Sequence, residues 1–187
     1  MEDVRGRRGS RRRIGGWAAF VALILSLPLL AMRVTDEVVW TAFDFALAGA
    51  LLFGTGVAYE LATRVRGDMA YRAAVGVALV AGLTLAWVNG AVGVIGSDDD
   101  PANLMFGGVL AVGMIGAIVV RFQPDGMARA LFATALAQAL VAVIVLIFGF
   151  GSTVPDWPRD TLMLSGFFAG LWLTSAWLFR QASRERS

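Results

Sequence analysis

A carboxylate inside an apolar run is the first place in this chain to look for chemistry. Asp44 lies within residues 38–62, a stretch long enough to cross a bilayer. Ionisable groups in hydrocarbon are costly and mark proton relays, ion paths or bound partners. At 1.5 Å per residue, Asp44 falls about two turns, or roughly 10 Å, below one end of that run. Asn89 falls at a matching depth in the next run, residues 70–95, which passes the other way. Adjacent antiparallel helices would bring the two together, the amide donating to a carboxylate oxygen. Such a pair reads in three ways: as structural glue between helices, as a proton or transport site, or as a contact for a partner.

The other polar candidates are weaker. Glu60 follows Asp44 by sixteen residues. At 100° per residue it points to nearly the opposite side of the helix, so the two carboxylates cannot form one dyad. Glu60 and Arg64 are spaced i,i+4, which favours a local ion pair. Thr134 and Gln138 share a face near the middle of the fifth run, where they would line a path or bond across helices. Asp98, Asp99 and Asp100 precede Pro101. Three carboxylates attract cations, but calcium loops space their ligands and add carbonyls. The spacing fits a helix cap better, with Asp100 at the N-cap, Pro101 in the first turn and Asn103 extending the network.

Missing residue types exclude much chemistry. The chain has no Cys and no His, and all sixteen basic residues are Arg. Thiolate chemistry, a Ser-His-Asp triad, a lysine Schiff base and histidine ligation of haem or zinc are therefore out of reach. Asp125-Gly126-Met127-Ala128-Arg129 resembles the start of the CDP-alcohol phosphotransferase signature. Its spacing is one residue short, and the later glycine and paired aspartates are absent, so it reads as a turn before a helix. No catalytic residue, cofactor or metal is expected, and the reading is non-enzymatic.

The elements that must position these residues are membrane spans. The chain is 58% hydrophobic and 16% charged over 187 residues. A spanning helix needs about 20 apolar residues. Six runs qualify: residues 14–32, 38–62, 70–95, 102–120, 127–150 and 161–179. Short connections make sequential helices antiparallel neighbours. The expected fold is therefore all-α, a polytopic transmembrane bundle of about six antiparallel helices over 14–180. Residues 1–13 read as a disordered Arg-rich tail and 181–187 as a second tail.

Charge gives the orientation. Fourteen of the sixteen arginines fall on one side of the implied sheet, leaving Arg33 and Arg159 on the other. This is a strong positive-inside pattern, with both termini cytoplasmic in a bacterial inner membrane. The opposite loops are acidic, and Trp40 and Trp157 suit an outer aromatic belt. The pI near 9.9 follows from the cytoplasmic arginines and does not point to nucleic acid. Residues 1–32 share the basic and apolar regions of a secretory signal, but no small-x-small cleavage site follows, so retention is expected.

Small residues predict the packing. Ala42, Gly49 and Gly56 recur every seven residues; Ala78, Gly82, Asn89, Gly93 and Gly96 form a second stripe; Gly166 and Gly170 form a GxxxG. These stripes are expected mainly to join helices within the chain, and otherwise to meet a partner membrane protein or a second copy. Pro28 is expected to kink the first span.

Several phrases together carry a resemblance. They are Thr35-Asp36-Glu37-Val38-Val39-Trp40, Asp44-Phe45, Tyr59-Glu60-Leu61, Trp87 through Gly96, Pro101 through Met105, and Gly126 through Leu131. The combination resembles a family of small uncharacterised bacterial multi-pass inner-membrane proteins. The resemblance implies six spans and adds no catalytic residue.

Overall fold

The computed structural model describes residues 2–36, 38–91, 93–95, 100–152 and 156–185, with side chains from residue 15 onward. Among them the chain forms six α-helices and no strand: α1 (Glu2–Val34), α2 (Ala42–Val65), α3 (Met69–Ala91), α4 (Leu104–Val119), α5 (Pro124–Phe148) and α6 (Arg159–Arg184). A single 3₁₀ turn, Pro101–Asn103, leads into α4. Six segments are long and apolar enough to cross a membrane, from 19 residues in Pro101–Val119, where the 3₁₀ turn runs into α4, to 26 in α6. The all-α transmembrane class read from hydropathy holds.

Helix ends differ from the hydropathy limits where local bonding overrides composition. The Arg-rich segment expected to be disordered is helical from Glu2, continuous with the apolar part of α1. Arginine and glutamate are good helix formers, so charge need not end a helix. At the other terminus α6 runs on to Arg184 rather than stopping at Phe179, and Ala182 is buried. α2 begins at Ala42, four residues late, and α3 stops at Ala91, four residues early. α5 starts at Pro124, where a missing N–H costs nothing. It ends at Gly149, whose φ of +70° suits a residue without Cβ.

The chain divides into two compact units, residues 1–58 and 59–187. In the first unit α1 meets α2 through glycine. A Cβ at Gly56 would fall 2.7 Å from the Trp17 ring, and one at Gly49 would touch Leu25 at 3.5 Å. Two residues of the predicted Ala42-Gly49-Gly56 stripe are thus packing positions.

The second unit holds the end of α2 and helices α3 to α6. α6 packs on α5 and α3, α5 packs on α4, and α3 touches α4. Bulky side chains such as Tyr71, Leu85, Phe106, Val145, Phe168 and Phe179 are fully buried between them. Glycine again sets the closest approach. A Cβ at Gly116 would sit 2.8 Å from Ala130 Cβ, and one at Gly126 only 2.5 Å from Val120 Cβ. Gly82 leaves room for the Trp172 ring and Leu110. The predicted GxxxG behaves otherwise. Among the described residues of this unit nothing lies within 4 Å of a Cβ placed at Gly166 or Gly170, so packing of α6 within the unit does not use them.

The α4–α5 link is strained. Arg121 and Phe122 have φ of +50° and +58°. The Arg121 and Phe122 N–H groups donate to the Ile118 and Ala117 carbonyls, closing a Schellman cap with arginine where glycine is usual. Tyr71 holds it, donating its hydroxyl to the Phe122 carbonyl at 2.8 Å.

Candidate functional site

Asp44 lies in the first turn of α2, rather than two turns into that helix. Thr41 and Asp44 form a reciprocal cap. The Asp44 carboxylate accepts from the Thr41 N–H at 2.7 Å and the Thr41 hydroxyl at 2.8 Å, and the Asp44 N–H donates back to the hydroxyl at 3.3 Å. This is a capping box with aspartate in place of the usual glutamate. The box fixes the start of α2 at Ala42, which lifts Asp44 toward the helix end. The Thr-x-x-Asp spacing was visible in the sequence; hydropathy alone overlooked it.

Asn89 is also engaged locally. Its Nδ2 donates to the Asn103 carbonyl at 3.1 Å, joining the end of α3 to the start of α4. Asp44 and Asn89, expected as one site, therefore each have partners within their own unit.

Asn103 does more than extend a cap. It is 4% exposed, and its Oδ1 accepts from the Val94 and Ile95 N–H groups at 3.0 and 2.9 Å. Its Nδ2 donates to the Ile95 carbonyl at 3.1 Å. Thr161, at the start of α6, donates to the Val94 carbonyl at 3.4 Å. One amide thus ties the turn after α3 to α4, and the same turn is touched by α6. Asp100 caps the 3₁₀ turn as expected, accepting from the Ala102 N–H at 2.9 Å. Asp98 and Asp99 lie outside the described residues. Among the described residues no three His, Cys, Asp or Glu side chains come together as a metal group.

The secondary candidates resolve in two ways. Glu60 and Arg64 form the expected i,i+4 pair at 3.5 Å. A second pair, Arg66 with Asp68 at 3.0 Å, supports the start of α3, where Asp68 accepts from the Tyr71 N–H at 2.8 Å. Thr134 and Gln138 are both completely buried on α5. Thr134 donates to the Ala130 carbonyl one turn back, not across helices. Neither amide atom of Gln138 has a hydrogen-bond partner among the described residues.

No family model, curated protein or solved structure matches this chain. Its class rests on the fold: an all-helical membrane protein with six candidate spans.

Proposed function

We propose that this is an integral inner-membrane protein with both termini in the cytoplasm, acting as a structural or accessory component rather than as an enzyme. The observation that carries the reading is the Thr41–Asp44 cap. Asp44, the leading candidate for an intramembrane proton site, is engaged in starting a helix. The arginine asymmetry supports the orientation. The open Gly166–Gly170 face supports a partner, because small residues let a second helix approach closely.

The test uses purified protein in liposomes with an imposed pH gradient. The accessory reading expects the gradient to decay no faster than in empty liposomes. Gradient collapse that is abolished by Asp44→Asn would replace it with a small proton-coupled transporter or channel. Orientation is tested with single cysteines, which the Cys-free chain permits. An impermeant maleimide should reach Asp156→Cys from outside the cell and leave Arg184→Cys unlabelled.

A further inference from the structure

The seam between α4 and α5 opens into a groove of about 580 Å³ beside the strained link that joins the two helices. Small-molecule sites run from about 300 to 1,000 Å³, so the groove can hold a ligand of that size. Its lining is divided. Val119 and Val120 at the end of α4 are apolar, whereas Gln123, Asp125 and Arg129 at the start of α5 are polar. The lining carries one carboxylate, Asp125, and one guanidinium, Arg129; Arg121 in the link does not line it. Asp125 and Arg129 are spaced i,i+4, which ordinarily favours an ion pair. Here Arg129 Nε donates instead to the Asp125 backbone carbonyl at 3.3 Å. Among the described residues neither the Asp125 carboxylate nor the Arg129 guanidinium enters an ion pair, so each presents its own charge to the groove.

Exposed apolar rows lead away from the groove on both helices. On α4 the row runs from Val119 back through Ile115 to Val112, at steps of one helical turn. On α5 it runs from Arg129 on through Phe132, Leu136 and Leu140. Both helices are candidate spans, so these rows face hydrocarbon. The groove lies where the rows end and charge begins, which is the depth of lipid headgroups.

We propose that the α4–α5 groove seats a phospholipid whose headgroup carries both a phosphate and a primary ammonium, as in phosphatidylethanolamine. Basic pockets between spans hold lipid phosphates, and a guanidinium fork matches phosphate oxygens. Arg129 takes the phosphate, with the Gln123 amide as a further donor. Asp125 accepts N–H bonds from the ammonium. The acyl chains lie along the two exposed rows. Charge selects among headgroups. A phosphatidylglycerol would bring a negative charge beside Asp125 with nothing to offset it. A trimethylammonium has no N–H to donate, so phosphatidylcholine keeps only the phosphate contact. A soluble zwitterion would leave the apolar rows unused.

The test is native mass spectrometry of the full-length protein in detergent, titrated with dioleoyl phosphatidylethanolamine, phosphatidylcholine and phosphatidylglycerol. The wild type is expected to bind phosphatidylethanolamine several-fold tighter than the other two. Asp125→Asn should lower phosphatidylethanolamine to the level of phosphatidylcholine, and Arg129→Gln should weaken both several-fold. Glu60→Gln, which removes a carboxylate outside the groove, should leave the preference intact. Equal binding of the three lipids, a preference for phosphatidylglycerol, or a preference that survives Asp125→Asn would each overturn the proposal. Displacement of the lipid by inorganic phosphate would overturn it too, making the groove a site for free phosphate. Asp125 and Arg129 are both exposed, so their substitution leaves the packed core untouched, and the wild-type preference decides even without them.

Discussion

Removing the Asn103 amide should be the most damaging small change at the α3–α4 end of the second unit. Asn103→Ala deletes two bonds accepted from Val94 and Ile95 and one donated to the Ile95 carbonyl. Val94 and Ile95 are 4% and 0% exposed, so their N–H groups would be left without water. Each lost bond contributes about 1 kcal/mol net, and each orphaned buried donor costs about 1–3 kcal/mol. Partial collapse onto the smaller side chain recovers some of this, giving an expected loss of about 3–4 kcal/mol. Two neighbours calibrate the figure. Thr161→Val removes one long bond of 3.4 Å and should cost under about 1 kcal/mol. Asn89→Leu removes one bond but also a buried, unpartnered Oδ1, so its cost should be near zero to about 1 kcal/mol. The assay is reversible unfolding in mixed detergent micelles followed by far-ultraviolet circular dichroism. A second readout is thiol labelling of Val94→Cys, silent alone and reactive when combined with Asn103→Ala. Equal losses for Asn103→Ala and Thr161→Val would refute the idea that one amide organises this end.

Further outcomes rest on the same geometry. Gly116→Ala forces a Cβ to 2.8 Å from Ala130 Cβ and should cost about 1–3 kcal/mol in the same unfolding assay. Gly76→Ala meets nothing within 4 Å and should stabilise by up to about 1 kcal/mol through helix propensity. Arg121→Gly relieves a left-handed arginine and should stabilise by about 0.5–1 kcal/mol, whereas Tyr71→Phe, which frees the Phe122 carbonyl, should cost about 1 kcal/mol; both are read as shifts in the unfolding midpoint. Asp44→Ala opens the capping box and should cost about 1 kcal/mol, while Glu60→Gln on the half-exposed Arg64 pair should change stability by less than about 0.5 kcal/mol.

Local chemistry was legible where a short spacing carries it. The Glu60–Arg64 pair and the Asp100 cap sit where their spacing predicts. The Thr41–Asp44 box was equally readable, and it outranks hydropathy because a cap fixes a helix start to the residue, whereas an apolar window cannot. The glycine stripes were half legible. Gly49, Gly56 and Gly82 accept large neighbours, yet Gly166 and Gly170 face outward, because spacing defines a face but not what covers it.

The sequence by itself determined the class of this protein. Apolar runs long enough to span hydrocarbon leave the backbone no alternative to helix, since every N–H must be bonded within its own segment. Its lack of Cys, His and Lys also bounded its chemistry. Only the tertiary structure decided what the polar residues do. Asn103 reaches a turn eight and nine residues away, Ser175 reaches Ala74 across 101 residues, and Gln138 reaches no hydrogen-bond partner among the described residues. In a low-dielectric interior the role of a polar side chain is set by which partner lies within about 3 Å. That partner is chosen by helix packing, which composition and periodicity do not encode.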